Sequence, residues 1–225
     1  RHWQALGERT RLSVDANYQR ADGEYPFELK NGQLITEEKR INTDIESIQG
    51  EANLFHTFQD ESELNVKTYY FHSQRGLPGA VILYNNESDE RLWDDNFFAQ
   101  ARYKKVFNPQ WTLQAQGKYN YSWNKYEDTG AEYVGGKQTD TNRQKEYYLS
   151  ASVLYQPVKG WSLSLSQDGF INKLHTNGTN SPEPTRYSSL TALNIRYQQN
   201  RWKVSGTLVG TYITEVVKAG NTPED

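Results

Sequence analysis

Strict alternation of apolar and polar residues is the feature that most constrains the fold of this chain. Between positions 111 and 123 every odd residue is aromatic, aliphatic or glycine, namely Trp111, Leu113, Ala115, Gly117, Tyr119, Tyr121 and Trp123. The even residues between them are all polar. Successive side chains of a β-strand point to opposite faces, whereas a helix would spread these rings around its whole circumference. The segment is therefore predicted to be one long strand with an apolar and a polar face.

The same alternation recurs along the chain and predicts nine strands. Clear patterns lie near 10–20, 63–70, 97–104, 111–123, 146–155, 161–166 and 202–214, and weaker ones cover about 45–58 and 187–197. On the polar side the strands carry charges of both signs, among them Asp15, Glu51, Lys67 and Lys118. Such strands have one face for an apolar environment and another for a polar one.

The connections between these strands alternate in length. Short turns lie at 59–61, 108–110, 156–160 and 198–201, and long polar segments lie at about 21–44, 74–94, 125–143 and 173–186. This order predicts an antiparallel up-and-down meander with all tight turns at one edge. Aromatic residues flank the tight turns, as in the interfacial girdle of a membrane barrel.

Composition narrows the possible classes. The chain has 225 residues, no cysteine and a formal net charge of -3, which argues against a disulfide scaffold, a thiolate metal site and nucleic-acid binding. Its longest apolar run, 80–84, is far shorter than the roughly 20 residues of a membrane-spanning helix. Because methionine is absent, we expect the chain to be part of a longer polypeptide.

Three architectures fit these patterns: a soluble β-sandwich, a soluble barrel or solenoid, and a transmembrane β-barrel. A sandwich usually has more Val, Ile and Leu on its inner face, and its loops need not sort into short and long. We therefore predict an all-β, antiparallel up-and-down transmembrane β-barrel. Bacterial barrels of one chain have even strand counts, so nine strands predict a fragment of a larger barrel. Residues 1–225 would form part of one barrel domain, with edge strands near 10–20 and 202–214.

Several segments resemble the barrel of TonB-dependent outer-membrane receptors, in particular the cobalamin-type receptors of Bacteroidetes. They are Arg-Gly-Leu-Pro-Gly-Ala-Val-Ile-Leu-Tyr-Asn at 75–85, Arg-Leu-Trp at 91–93, Phe-Phe-Ala-Gln at 97–100, Asp-Gly-Glu-Tyr-Pro-Phe at 22–27 and Arg-Ile-Asn at 40–42. The resemblance covers roughly residues 9–215 through the spacing of strands and loops.

This resemblance implies a 22-stranded barrel in the outer membrane of a Gram-negative cell, with a plug domain that this chain does not contain. It implies active import, driven by a TonB-ExbB-ExbD complex acting on the plug. The ligand would be a large scarce nutrient, with cobalamin favoured over a siderophore, haem or a glycan. Outer-membrane lipid and a surface lipoprotein would be further partners. The family is not enzymatic, and we expect no cofactor and no nucleic-acid partner.

Aromatic residues of the long segments are the candidate ligand-binding residues, because flat apolar faces suit a ring system or a sugar. They are Tyr25, Phe27, Tyr84, Trp93, Tyr126 and Tyr133. The alternative is that these rings pack the loops together or belong to an outer girdle.

Metal sites and catalytic sites have little support in the sequence. An acidic cluster offers hard oxygen ligands for Ca²⁺, although its spacing fits no EF-hand and such a cluster is more typical of a solvated loop. It comprises Glu87, Asp89, Glu90, Asp94 and Asp95. The four histidines are scattered and form no zinc-binding pair. We predict no catalytic residue.

Two functions of other classes stay open. One is a small self-contained outer-membrane barrel with a structural or adhesive role, which requires closure within about 225 residues. The other is a soluble β-sandwich binding module, which predicts solubility without detergent.

Overall fold

A computed structural model describes residues 1–81, 88–129, 135–178 and 181–218, and these residues form an all-β structure. Its twelve strands are β1 (His2–Ala5), β2 (Thr10–Ala21), β3 (Tyr25–Asn31), β4 (Leu34–Arg40), β5 (Ile45–Thr57), β6 (Glu63–Leu77), β7 (Glu90–Asn108), β8 (Trp111–Asp128), β9 (Gln138–Tyr155), β10 (Trp161–Thr176), β11 (Glu183–Gln199) and β12 (Trp202–Lys218). In the described part of the chain, no helix has the length and apolarity needed to span a membrane.

Ten strands form one antiparallel sheet in the order β1-β2-β5-β6-β7-β8-β9-β10-β11-β12, and β3 pairs only with β4. The predicted antiparallel meander and all nine predicted strands are confirmed. The prediction that the strand near 10–20 lies at an edge is wrong, because the four-residue β1 pairs with it. A strand this short cannot show alternation in the sequence. The sheet therefore has ten strands, and the argument from an odd count no longer holds.

All tight connections lie at one edge of the sheet, as predicted. They occupy 6–9, 58–62, 109–110, 156–160 and 200–201, between consecutive strands of the ten-stranded sheet. The turn at 58–62 is held by the Asp60 carboxylate, which accepts hydrogen bonds from the Ser62 backbone N–H and hydroxyl at 3.2 and 2.6 Å. Lys105 Nζ lies 2.7 Å from the same carboxylate, and these hydrogen bonds hold the pKa of Asp60 well below its usual range.

The strands extend far into the segments that were predicted to be long loops. For example, β7 has 19 residues and begins at Glu90, and β8 has 18 residues and ends at Asp128. These strand ends are polar or mixed on both faces, so they lack the alternation that marks a half-buried strand. The backbone ladder continues there because N–H and C=O groups pair regardless of side-chain polarity. The long connections of the sheet are accordingly 22–44, which holds β3 and β4, and 78–89, 129–137 and 177–182.

No hydrophobic side chain among the described residues is buried. On the face that carries the apolar residues, here called the apolar face, Leu149 and Leu208 are 70% and 72% exposed. On the opposite face, here called the polar face, Ser13 and Ser73 are almost completely buried. The apolar face of the sheet is thus exposed and has no other element packed on it. In an ordinary soluble domain the apolar face of a sheet is buried.

Candidate functional site: the polar face and the long-loop edge

A group of charged side chains lies on the polar face near the short strand β1. Asp15 and Glu51 are directly opposed on β2 and β5. Like charges in this position destabilise a sheet. Here a cation offsets part of this repulsion, because Lys67 Nζ lies 2.8 Å from Glu51. The Arg1 guanidinium is a further 3.6 Å contact of Glu51.

Two aromatic rings stack on the polar face of β6 and β7. The ring centroids of Tyr69 and Phe98 are 5.2 Å apart, with an angle of 20° between the planes. Lys67 and Lys118 reach over the Phe98 ring from both sides, with their ammonium groups 5.8 and 5.1 Å from its centroid. Cations at this distance are attracted by the face of the ring. Phe98 therefore lies at the centre of a cationic and aromatic patch.

A second aromatic pair continues this surface on β9 and β10. The centroids of Tyr148 and Phe170 are 4.6 Å apart. The Tyr148 hydroxyl donates to Asp168 at 3.2 Å and accepts from Gln116 Nε2 at 3.0 Å. These hydrogen bonds to the hydroxyl hold the Tyr148 ring in position.

The register joins the two aromatic pairs into one surface. Cross-strand neighbours run in a row over five strands, from β6 to β10, as Lys67, Gln100, Lys118, Tyr148 and Phe170. The next row on the same face is Tyr69, Phe98, Asn120, Glu146 and Asn172. Flat ring faces beside amide, ammonium and carboxylate groups can contact a large polar ligand that carries ring systems.

This surface was not predicted from the sequence, because only aromatic residues of the long segments were considered as ligand contacts. A signal was present in the sequence. Tyr69, Phe98, Tyr148 and Phe170 are aromatic residues at positions where the alternation calls for a polar residue. Aromatic residues out of phase with the apolar face lie on the polar face instead.

The end of the sheet that carries the long connections is here called the long-loop edge. There, strand β4 and the residues after it are hydrogen-bonded to the ends of β6 and β7. Arg40 donates through Nη2 to the carbonyls of Pro78 and Gly79 at 3.0 and 2.7 Å. Asn42 donates through Nδ2 to the carbonyls of Leu77 and Glu90 at 3.1 and 2.8 Å. Leu77 and Glu90 form the last register pair of β6 and β7, so Asn42 caps that ladder.

An ion pair completes this attachment. Arg91 donates through Nη1 and Nη2 to the two carboxylate oxygens of Asp44 at 3.1 and 2.7 Å. The hydrogen bond from Arg91 holds the pKa of Asp44 below its ordinary value of 3.8. The backbone carbonyl of Asp44 also accepts from the Gly76 N–H at 2.9 Å. Residues 40–44 are therefore held by side-chain and backbone contacts at once.

Of the predicted ligand-binding aromatics, the four that the structure describes do not meet in one pocket. Tyr25 and Phe27 lie in β3 with ring centroids 6.4 Å apart, and Tyr25 is 54% exposed. Trp93 lies in β7 rather than in a loop, on the apolar face, with Lys125 Nζ 4.5 Å from its ring. Tyr126 lies in β8 on the polar face, opposite Leu92. Tyr84 and Tyr133 lie outside the described residues.

The acidic cluster is also divided. Asp94 is on the polar face and pairs with Arg75 at 3.4 Å. Asp95, on the apolar face, accepts from the Tyr70 hydroxyl at 3.0 Å and lies 2.8 Å from His72 Nδ1. Asp89 precedes β7, Glu90 begins it, and Glu87 lies outside the described residues. Within the described ranges no group of three acidic, histidine or cysteine side chains is arranged to hold a metal ion.

Aromatic rings form a belt on the apolar face at the tight-turn edge. Trp111 stacks on Tyr155 across β8 and β9 with centroids 4.2 Å apart, and Trp161 and Tyr197 pair across β10 and β11 at 5.0 Å. Trp202 continues the level on β12. The rings that flank the tight turns in the sequence thus gather at one level of the sheet.

A second aromatic level, which the sequence analysis did not identify, lies further along the same face. Tyr119 is 6.4 Å from Phe97 and 5.1 Å from Tyr147, measured between ring centroids. Tyr187 and Tyr212 extend this level onto β11 and β12. Trp111 and Tyr119 are eight positions apart, and Trp202 and Tyr212 are ten apart. At about 3.3 Å per residue, this separation is about 26–33 Å along the strands.

No protein-family model matches the chain, and no curated protein matches its sequence.

Proposed function

We propose that this chain forms part of the wall of a TonB-dependent transporter in the bacterial outer membrane. In this proposal the apolar face contacts lipid, the polar face lines the lumen, and the long connections face the cell exterior. A large scarce nutrient binds at the exterior and passes through the lumen when the TonB-ExbB-ExbD complex acts on a plug domain. The transport function rests on the sequence resemblance, whereas the membrane location rests on the geometry.

The observation that carries the membrane location is the unpartnered apolar face with its two aromatic levels. Strands of a membrane barrel tilt by about 40°, which reduces the separation of about 26–33 Å along the strands to about 20–25 Å across the membrane. This agrees with the apolar band of about 25 Å in outer-membrane barrels, which aromatic girdles flank at both interfaces. Most residues between the two levels are aliphatic or small, such as Leu149, Ala151, Leu208 and Gly210. Gln167 is a polar exception, and it forms hydrogen bonds with the Thr191 and Ser189 hydroxyls.

The free edges of the sheet favour a larger barrel over a self-contained one. β1 and β12 pair with one strand each and not with each other, and β12 presents 17 exposed residues. In hydrocarbon, unpaired backbone groups cost several kcal/mol each, so a long edge needs a pairing partner. A 22-stranded barrel, as the resemblance implies, supplies that partner.

A β-sandwich would need a second sheet over the apolar face. The other sheet in the described part of the chain is the two-stranded hairpin of β3 and β4, whose strands pair only with each other. This arrangement favours a membrane protein over a soluble binding module.

The polar face is the part of the proposal that bears on the substrate. Its stacked rings, Tyr69 with Phe98 and Tyr148 with Phe170, lie among charged and amide side chains. Such a surface suits a large, polar molecule with ring systems, and cobalamin is the first ligand to test.

A matched pair of substitutions tests the membrane location. Leu208 lies midway between the two aromatic levels on β12, so Leu208→Lys should lower the free energy of unfolding in lipid vesicles by about 2–4 kcal/mol. Thr211→Lys introduces the same charge on the polar face of the same strand and should have little effect. Folding of the intact polypeptide is followed by its heat-dependent gel mobility and by urea titration. Equal stability of the two variants would refute the assignment of the apolar face to lipid.

A binding measurement tests the transport function separately. The intact polypeptide, purified from outer membranes in detergent, should bind cyanocobalamin at micromolar concentration or below. A native mass near 26.1 kDa, the mass of this chain, would instead favour the self-contained barrel. Full solubility without detergent would favour the sandwich.

A further inference from the structure

Two lysines oppose each other on the apolar face, immediately beyond the second aromatic level. Lys145 of β9 is the direct register partner of Lys173 of β10, and both side chains are exposed. Directly opposed residues have Cβ atoms about 4.5–5.5 Å apart, and like charges in this position destabilise the sheet. Among the residues that the structure describes, neither lysine has a hydrogen-bond or ion-pair partner.

The remaining charged groups of this region do not neutralise the pair. Arg143, two positions further along β9, adds a third cation and lies opposite His175. His175 forms an ion pair with Glu183, and Glu127 pairs with Lys125 at 2.7 Å and Lys137 at 3.4 Å. Asp95, two strands away on β7, contacts the Tyr70 hydroxyl and His72 Nδ1, so these three carboxylates of the apolar face are already engaged.

Elsewhere the same sheet does compensate opposed like charges. Asp15 and Glu51 face each other on β2 and β5, and the Arg1 guanidinium and Lys67 Nζ lie within ion-pair distance of Glu51. The absence of such compensation at Lys145 and Lys173 indicates that an anion from outside the described residues belongs there.

An apolar groove of about 450 Å³ adjoins the two lysines. On the apolar face it is lined by Tyr147, Leu149, Gly169, Ile171, Tyr187 and Tyr212. Gly169 leaves the floor open because it has no side chain, and its nearest neighbour beyond the adjacent residues is a backbone oxygen 3.9 Å from where a Cβ would lie. Tyr147 follows Lys145 by two positions, and Ile171 precedes Lys173 by two positions. One end of the groove therefore adjoins the two lysines.

We propose that this groove and the lysine pair bind a phosphorylated lipid of the membrane, an inference that rests on the proposed membrane location. The acyl chain lies along the groove, and the headgroup phosphate lies between the ammonium groups of Lys145 and Lys173. Phosphate accepts charge-assisted hydrogen bonds from both lysines and relieves their mutual repulsion. The groove lies at the second aromatic level, which is the depth at which a headgroup meets the hydrocarbon.

The test compares lipid A with the same lipid after enzymatic removal of its phosphates. The intact polypeptide is purified in detergent, and each lipid is titrated against it by native mass spectrometry. Because each basic residue near an anionic headgroup contributes about 1 kcal/mol, Lys145→Gln with Lys173→Gln should weaken lipid A binding about 25-fold. The dephosphorylated lipid should bind the native protein and this variant equally weakly.

Two further variants separate the parts of the site. Lys159→Gln with Lys203→Gln makes the same change of charge at the tight-turn edge and should leave lipid A binding unchanged. Gly169→Phe fills the groove and should weaken the binding of both lipids. Equal binding of lipid A to the two double-lysine variants would overturn the proposal. Binding of inorganic phosphate as tight as that of lipid A would overturn it too, because the groove would then be without a role.

Failure of the lipid site can be distinguished from failure of the proposed membrane location. All variants are first checked for insertion into vesicles through their heat-dependent gel mobility. If the native protein fails to insert, the proposed membrane location fails. If the native protein inserts and Lys145→Gln with Lys173→Gln leaves lipid A binding unchanged, only the lipid site is refuted.

Discussion

Asn42 occupies the space that a side chain at position 76 would need. A Cβ on Gly76 would collide with the carbonyl and the side-chain amide of Asn42, whose backbone carbon would lie 2.7 Å away. The same Asn42 amide donates to Leu77 and Glu90, on either side of the ladder between β6 and β7. The long hairpin of β3 and β4 is thus attached to the sheet through a contact that depends on glycine.

We expect Gly76→Ala to detach this hairpin, because the backbone of Asn42 cannot yield in the way that a flexible side chain can. Limited proteolysis of the folded protein should then cut between residues 22 and 44 faster than in the native chain. Gly50→Ala is a matched control, since a Cβ at this strand position meets nothing within 4 Å. Equal cleavage rates in the two variants would contradict the proposed attachment.

Acidification should loosen the same attachment. The hydrogen bond from Arg91 lowers the pKa of Asp44 below its ordinary value of 3.8. A carboxyl with a depressed pKa stabilises the folded state fully above its unfolded pKa and loses that contribution as the pH falls through its folded pKa. NMR titration of the Asp44 side-chain carboxyl should give a pKa below 3.8 in the native protein and a higher one in Arg91→Gln. An unchanged pKa in the variant would assign the shift to another group.

The stacked pair of Trp111 and Tyr155 should show a measurable coupling energy. In a double-mutant cycle with alanine at both positions, we expect about 0.5–1.5 kcal/mol beyond the separate effects, measured by urea unfolding in vesicles. Trp202 lies on β12, three strands away from β9, and gives the control cycle with Tyr155. Its coupling should be near zero, as for distant sites. Similar couplings in both cycles would indicate a general change of the fold instead of a local ring contact.

Two adjacent phenylalanines on opposite faces test the role of the polar face. If this face contacts the ligand, Phe98→Ala should weaken cyanocobalamin binding about fivefold, the equivalent of one aromatic contact of about 1 kcal/mol. Phe97 lies on the apolar face, with its ring 6.4 Å from Tyr119. Phe97→Ala should lower stability in lipid and leave ligand binding unchanged. The reverse pattern would place the ligand path elsewhere.

Much of the fold could be predicted from the sequence because side-chain alternation is a local property. The run from Trp111 to Trp123 alone identifies a two-faced strand, and the alternation of short and long connections gives the meander. The strand ends were missed for the same reason. Around Trp93 and Tyr126 both faces are polar or mixed, so the pattern stops although the backbone ladder continues.

The candidate site was harder to predict, because side chains meet across strands that are far apart in sequence. The loop aromatics were reasonable candidates, yet Trp93 and Tyr126 prove to lie on opposite faces. The surface around Phe98 is assembled by the register of five strands, from β6 to β10. Only its departure from the alternation is visible in the sequence.

By itself the sequence determined the all-β class, the two faces of each strand and the order of short and long connections, because each depends on neighbouring residues and on the period of two. The tertiary structure decided which charges face each other. Asp15 meets Glu51, whose charge Lys67 compensates, whereas Lys145 meets Lys173 with no such compensation among the described residues. Register depends on the pairing of backbone groups over the whole sheet, and a shift of one residue would move every one of these side chains to the other face.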